Sequence, residues 1–115
     1  MEQIELVHEQ GATGTTSIIR LKGPLTLATL FPLQDILRTL PDSDTVIDVT
    51  EVPYIDSAGL GTILSHWSHT QRTGHKFAMS GTSPRIEVLL EVTQVHKIIP
   101  RFRTAEEADR SFTGK

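Results

Sequence analysis

The stretch Thr45 to Trp67, TVIDVTEVPYIDSAGLGTILSHW, leaves this chain few folds to choose from. Val46, Ile47 and Val49 make a β-branched apolar run set between Asp42 upstream and Glu51 and Pro53 downstream, the pattern of a short buried strand. Past Ala58, the residues Leu60, Ile63, Leu64 and Trp67 recur at steps of three and four. That spacing predicts a helix with these four on its core face and with Thr62, Ser65, His66 and His69 turned elsewhere. The junction Tyr54-Ile55-Asp56-Ser57-Ala58-Gly59 then puts Asp56 and Ser57 where the helix begins, beside its unpaired amides and the positive end of its dipole.

Two compatible roles follow for Ser57. As an N-cap it would satisfy a first-turn amide, with Asp56 adding a favourable charge. As a phosphorylation site it would carry roughly −1.5 to −2 charges onto a helix start that favours anions by about 0.3 to 2 kcal/mol.

The rest of the chain fits around this unit. Ile4 and Leu6 alternate with polar residues between Glu2 and Glu9, as in an edge strand with one wet face. A Gly-containing turn over 10–15 and the run Ser17 to Leu21 make a hairpin with it. Thr26 to Leu40 carries Leu30, Leu33, Ile36, Leu37 and Leu40 at helical spacing; Thr29 is expected as its cap, with Pro32 in the first turn and Pro41 as the stop. The central helix should run to about Arg72 and end at Gly74. Lys76 to Ser80 reads as a strand, and Ser83-Pro84 opens a short, mostly buried helix with Ile86, Val88, Leu89 and Leu90. His96 to Pro100 reads as a last strand, Thr104 as the cap of a helix AEEADRSF, and the tail from Thr113 as frayed. The expected fold is α/β: a mainly parallel mixed sheet of about five strands with about four helices, begun by an N-terminal hairpin, all within one domain over residues 1–115.

Composition narrows the function. A net charge of −3 offers no footprint for nucleic acid, and no apolar run approaches the roughly 18 residues of a bilayer span, so neither direct nucleic-acid binding nor membrane insertion is expected. The absence of cysteine excludes disulfides, thiolate zinc sites and cysteine nucleophiles. With no secretory signal pattern at MEQIELVHEQ, the protein is expected in the cytoplasm. Ser57 lacks the G-x-S-x-G setting of a nucleophile elbow, so no catalytic residue is assigned. His66, His69 and His75 could be presented to a metal, but no carboxylate or cysteine stands at matching spacing, and neither a metal nor another cofactor is expected. Arg101 and Arg103 read as solvated, and Trp67 as core.

The order of elements and the segment VIDVTEVPYIDSAGLGTIL resemble the STAS domain, most closely the small anti-sigma factor antagonists of bacteria. The similarity runs from about Ile18 to Phe112 and centres on Asp56-Ser57-Ala58-Gly59-Leu60-Gly61, with Gly23-Pro24-Leu25, Ser83-Pro84 and Lys97-Ile98-Ile99 in support. The resemblance implies a phosphoswitch. The unmodified protein would bind an anti-sigma factor that is also a serine kinase and so release a sigma factor; phosphorylation of the serine matching Ser57 would end that binding, and a serine phosphatase would reset it. The partner surface would comprise Tyr54, Asp56, Ser57, Ala58, Gly59 and Thr62 on the exposed side of the junction, with the Thr26 loop. Thr26 stands where phosphorylated members commonly carry an aspartate that helps to shape the phosphoacceptor site. Other members of such a family keep the fold as scaffolds or ligand-sensing subunits of transport or stress-signalling complexes, which is the alternative reading.

Overall fold

The computed structural model describes residues 2–113. Five strands, β1 (Glu5–Gln10), β2 (Thr16–Lys22), β3 (Asp44–Glu51), β4 (Phe77–Ser80) and β5 (Arg101–Phe102), form one sheet whose spatial order is also the chain order. β1 and β2 are the antiparallel hairpin, and every later pairing is parallel. Four α-helices supply the connections and the end of the chain: α1 (Phe31–Thr39), α2 (Ser57–Thr73), α3 (Pro84–Val92) and α4 (Ala105–Phe112).

Side-chain alternation along the strands divides the core in two. Ile19, Leu21, Ile47, Val49, Phe77 and Met79 point to one face, where Leu33, Leu37, Leu60, Ile63, Ile86 and Leu90 of α1, α2 and α3 close over them. Ile18, Val46 and Ala78 point to the other, against Ala105, Ala108 and Phe112 of α4. The small residues of α4 let a two-turn helix lie close on that face. Both faces of β3 are therefore dry, which is why Val46, Ile47 and Val49 do not follow a strict apolar–polar alternation.

Several local expectations are corrected. α1 begins at Phe31, one residue later than a Thr29 cap would start it, because Thr29 does not cap it: the Thr29 hydroxyl donates to the Pro24 carbonyl at 2.7 Å and accepts from the Thr26 amide at 2.9 Å, which organises the loop instead. Leu30 stands at the N-cap with no side-chain bond, and Pro32 lies in the first turn as expected. The segment read as a strand at His96 to Pro100 is a 3-10 turn over Val95–Lys97, and the strand falls just after it, at Arg101–Phe102. α3 is less buried than its sequence suggested, with Val88 57% and Val92 75% exposed. Arg101 is not solvated: it pairs with Glu87 at 3.0 Å and donates to the carbonyls of His96 and Ile99, whereas Arg103 does face water. Thr113 closes α4 through its hydroxyl on the Arg110 carbonyl; residues 114 and 115 of the expected frayed tail lie outside the described ones. Gly74, at φ 77°, ends α2 in the left-handed conformation that glycine tolerates. Among the described residues no helix is long and apolar enough to cross a membrane.

Candidate functional site

The site is the seam between the loop after β2 and the start of α2. An isolated parallel bridge joins Leu25 to Ile55, the Leu25 amide donates to the Tyr54 carbonyl at 3.1 Å, and the Asp56 amide donates back to Leu25 at 3.1 Å. Two chain segments thus meet as a miniature sheet before α2 begins.

Asp56, not Ser57, is the N-cap. Its Oδ1 accepts from the Gly59 amide at 2.8 Å, and its Oδ2 accepts from the Leu27 amide at 3.1 Å, so one carboxylate caps α2 and clamps the loop. The Gly59 amide, followed by that of Leu27, holds the Asp56 carboxyl below the usual aspartate range. A depressed carboxyl contributes stability above its unfolded value of 3.8 and loses it as the pH falls through the folded value. Asp56→Ala is expected to destabilise the protein by about 1 to 2 kcal/mol in urea melts at pH 7, with Asp56→Asn costing far less because its oxygen still caps. Equal losses in the two variants would contradict the capping role.

With the cap taken by Asp56, Ser57 becomes the first helical residue, exposed, and its hydroxyl has no hydrogen-bond partner among the described residues. Beside it stand the half-buried Ala58 and Tyr54 and, on the loop that Asp56 clamps, Leu27, which is 63% exposed; Phe31, the first residue of α1, is 56% exposed. The Tyr54 hydroxyl donates to the Glu2 carboxylate, which raises its pKa, and the guanidinium of Arg85 lies 5.1 Å from the centre of its ring.

The remaining expected site residues are placed differently. Thr62 is buried, its hydroxyl turned back onto the Ala58 carbonyl at 3.2 Å, so it is not on the exposed side of the junction. Gly59 is buried beneath the loop: a Cβ there would stand 2.4 Å from the Leu25 carbonyl oxygen. Thr26 is buried too, and its Oγ1 accepts from the Ala28 amide at 3.2 Å. This is the short turn that an aspartate would make in the same place, formed without its charge. The rings of His66 and His69 lie 5.8 Å apart, and the three histidines are held separately, His66 by Thr45, His69 by Asp42 and His75 by Asp44.

Leu27, Phe31 and Arg85 were not singled out in the sequence. Leu27 lies in a loop and gives no periodic signal, Phe31 is exposed at the start of α1 away from its buried Leu33 and Leu37, and the stacking of Arg85 on Tyr54 joins positions far apart in the chain.

The sequence profile described as the STAS domain matches residues 3–108. The chain belongs to the STAS-domain family. Among relatives, this STAS domain is similar to the anti-sigma F factor antagonist of Paenibacillus polymyxa, at 26% identity over 102 residues, covering 85% of this chain and 84% of that one. In fold it resembles the crystal structure of an anti-sigma factor antagonist from Mycobacterium paratuberculosis, with a TM-score of 0.83 at 18% identity over 96% of this chain and 94% of that one. The Bacillus cell fate determinant SpoIIAA in its phosphorylated form gives 0.72 at 17% identity, over 92% and 98%. At these identities the two structures speak for the fold of the STAS domain alone.

Proposed function

We propose that this STAS domain is an anti-sigma factor antagonist switched at Ser57. In its unmodified form it binds an anti-sigma factor that is also a serine kinase, and a sigma factor is released. Phosphorylation of Ser57 ends that binding, and a serine phosphatase restores it. The protein acts in the cytoplasm as substrate and binding module.

The observation that carries this reading is the free Ser57 hydroxyl: exposed, at the first residue of a helix, and relieved of capping by its neighbour Asp56. A kinase can reach it without dismantling a hydrogen bond. The name of the Paenibacillus relative and the existence of a phosphorylated form of SpoIIAA support the same reading. Leu27, on the loop held by the Asp56 carboxylate, supplies apolar contact that a docking partner would bury, about 1.5 to 3 kcal/mol if the side chain is fully covered. A dianion set beside the Asp56 carboxylate must be stripped of water or paired at such a contact, and either fault costs several kcal/mol. About 3 kcal/mol is already more than a hundredfold in affinity.

The decisive experiment pairs the protein with its kinase and ATP. Intact-mass spectrometry should show one added phosphate in the wild type and none in Ser57→Ala, and calorimetry should show binding retained by Ser57→Ala and weakened over a hundredfold by phosphorylation. Phosphate incorporated equally into Ser57→Ala would refute the assignment. Binding that survives both Ser57→Ala and Ser57→Asp would instead mark a scaffold.

A further inference from the structure

Between α1 and α2 the surface opens into a cleft of about 490 Å³, running along α2 from Thr62 to Arg72. That volume lies in the range of small-molecule sites, roughly 300 to 1,000 Å³. Its wall from α1 carries Gln34, Leu37 and Arg38; its wall from α2 carries His66 and Arg72.

His66 makes the cleft chemically specific. The side chain is only 8% exposed, yet it belongs to the lining. One ring nitrogen is anchored: Nε2 lies 3.1 Å from the Thr45 hydroxyl oxygen, and that hydroxyl donates to the Ser43 carbonyl at 3.2 Å. The network therefore assigns the proton to Nε2, which donates to Thr45. Nδ1 is left as a bare acceptor with no partner among the described residues. It is not sealed off, because the sole enclosed and unpartnered side-chain oxygen or nitrogen among those residues is Oγ1 of Thr16. An unpartnered lone pair on a mostly buried ring that lines a polar cleft can accept from a donor on a ligand.

Two cations stand in the same lining. Arg38 spends one N–H on Asp35 at 2.6 Å and Arg72 one on Ser68 at 2.9 Å, and each guanidinium has five. The one carboxylate of the lining, Asp42, is engaged by His69 at 2.9 Å. With Asp42 turned to His69, the guanidinium N–H groups that Arg38 and Arg72 have to spare are the donors the lining offers to an anion.

We propose that the cleft binds a small hydroxylated organic anion, its carboxylate or phosphate held by Arg38 and Arg72 and its hydroxyl donating to Nδ1 of His66. The leucines give the carbon skeleton an apolar wall. This site is separate from Ser57, and its existence does not depend on the switch.

The test is a titration of the isotopically labelled full chain with three probes, followed by NMR. L-malate and glycerol 3-phosphate supply the two anion types with a hydroxyl; succinate lacks the hydroxyl. Malate, glycerol 3-phosphate or both should saturate with a Kd below about 1 mM, with succinate at least about tenfold weaker. The Nδ1 resonance of His66 should move to lower frequency as it accepts a hydrogen bond. Arg38→Gln and Arg72→Gln, at exposed positions where folding is not at risk, should each weaken binding about tenfold. The proposal is overturned if neither hydroxylated anion gives a saturable shift by about 10 mM, if malate and succinate bind alike with Nδ1 unmoved, or if the arginine variants bind as the wild type does.

Discussion

Gly59→Ala should unfold this protein more readily than any other single methyl added to α2, by about 2 to 3 kcal/mol in denaturant midpoint experiments. Two effects oppose each other. Replacing glycine by alanine inside a helix ordinarily stabilises by about 1 kcal/mol. Here the new Cβ would lie 2.4 Å from the Leu25 carbonyl oxygen, closer than such atoms approach, and that oxygen is fixed by the Asp56 amide. A flexible side chain could swing away, whereas this backbone cannot move without opening the Leu25–Ile55 bridge and dragging the wholly buried Leu25 side chain. The clash therefore wins. Gly61, two residues on, is the internal control: nothing lies within 4 Å of its added Cβ, so Gly61→Ala should be neutral or stabilising by up to about 1 kcal/mol. If the two substitutions behave alike, the close approach of loop and helix is not what fixes the site.

Acidification should cost up to about 3 kcal/mol through His66 alone. Burial, with the neighbouring His69 adding to it, pushes this imidazole down from 6.5 to about 4. Its ring packs against Thr45, Phe77 and His69, and among the described residues no carboxylate is bonded to it. Between pH 6.5 and about 4 the unfolded chain binds a proton that the folded chain refuses, so stability falls as the pH drops across that window and levels off beneath it. The drop from 6.5 to about 4, at about 1.4 kcal/mol per tenfold change in proton affinity, sets the ceiling of about 3 kcal/mol. Urea melts of the wild type and His66→Gln from pH 7 to pH 4 isolate the effect, because every other titrating group is common to both. The wild type should lose the extra stability and the variant should not; parallel curves would mean that the ring is free to take up its proton in the folded state.

The same histidine shows where sequence reading succeeds and where it stops. The buried strand at Val46–Val49, the helix after it, its end at Gly74, and the caps Ser83 and Thr104 were legible because each rests on a local pattern or a short-range bond. The buried stripe of α2 was misjudged by part of a turn. It runs through Gly59, Leu60, Thr62, Ile63, His66 and Thr70, so Leu60 and Ile63 lie in the core as their spacing predicts, while Leu64 and Trp67 are only partly covered. Polar residues can occupy such positions because each finds a partner close by: Thr62 on Ala58, Thr70 on Trp67, His66 on Thr45. Hydropathy does not register that kind of satisfaction.

At the site, the residue types were legible and their division of labour was not. Asp56 and Ser57 are both good N-caps, and one residue of register decides which does it. The deciding contact is Leu27, whose amide shares the Asp56 carboxylate across 29 positions of sequence. The 3-10 turn at Val95–Lys97 is hidden for a different reason: the Arg101 side chain folds back on the nearby carbonyls of His96 and Ile99, and hydropathy does not show such a side-chain bond to backbone that reads as extended.

The borders of the sheet bear on how such a protein meets others. β1 ends it on one side with five of its six residues exposed, Glu5 and Glu9 among them, and β5 ends it on the other with two residues only. A stray chain seeking to lengthen the ladder meets carboxylates at one rim and almost no free amides at the other. Partners are thereby steered away from indiscriminate strand-to-strand adhesion, the route to fibres, and toward recognition by shape and charge at chosen side chains.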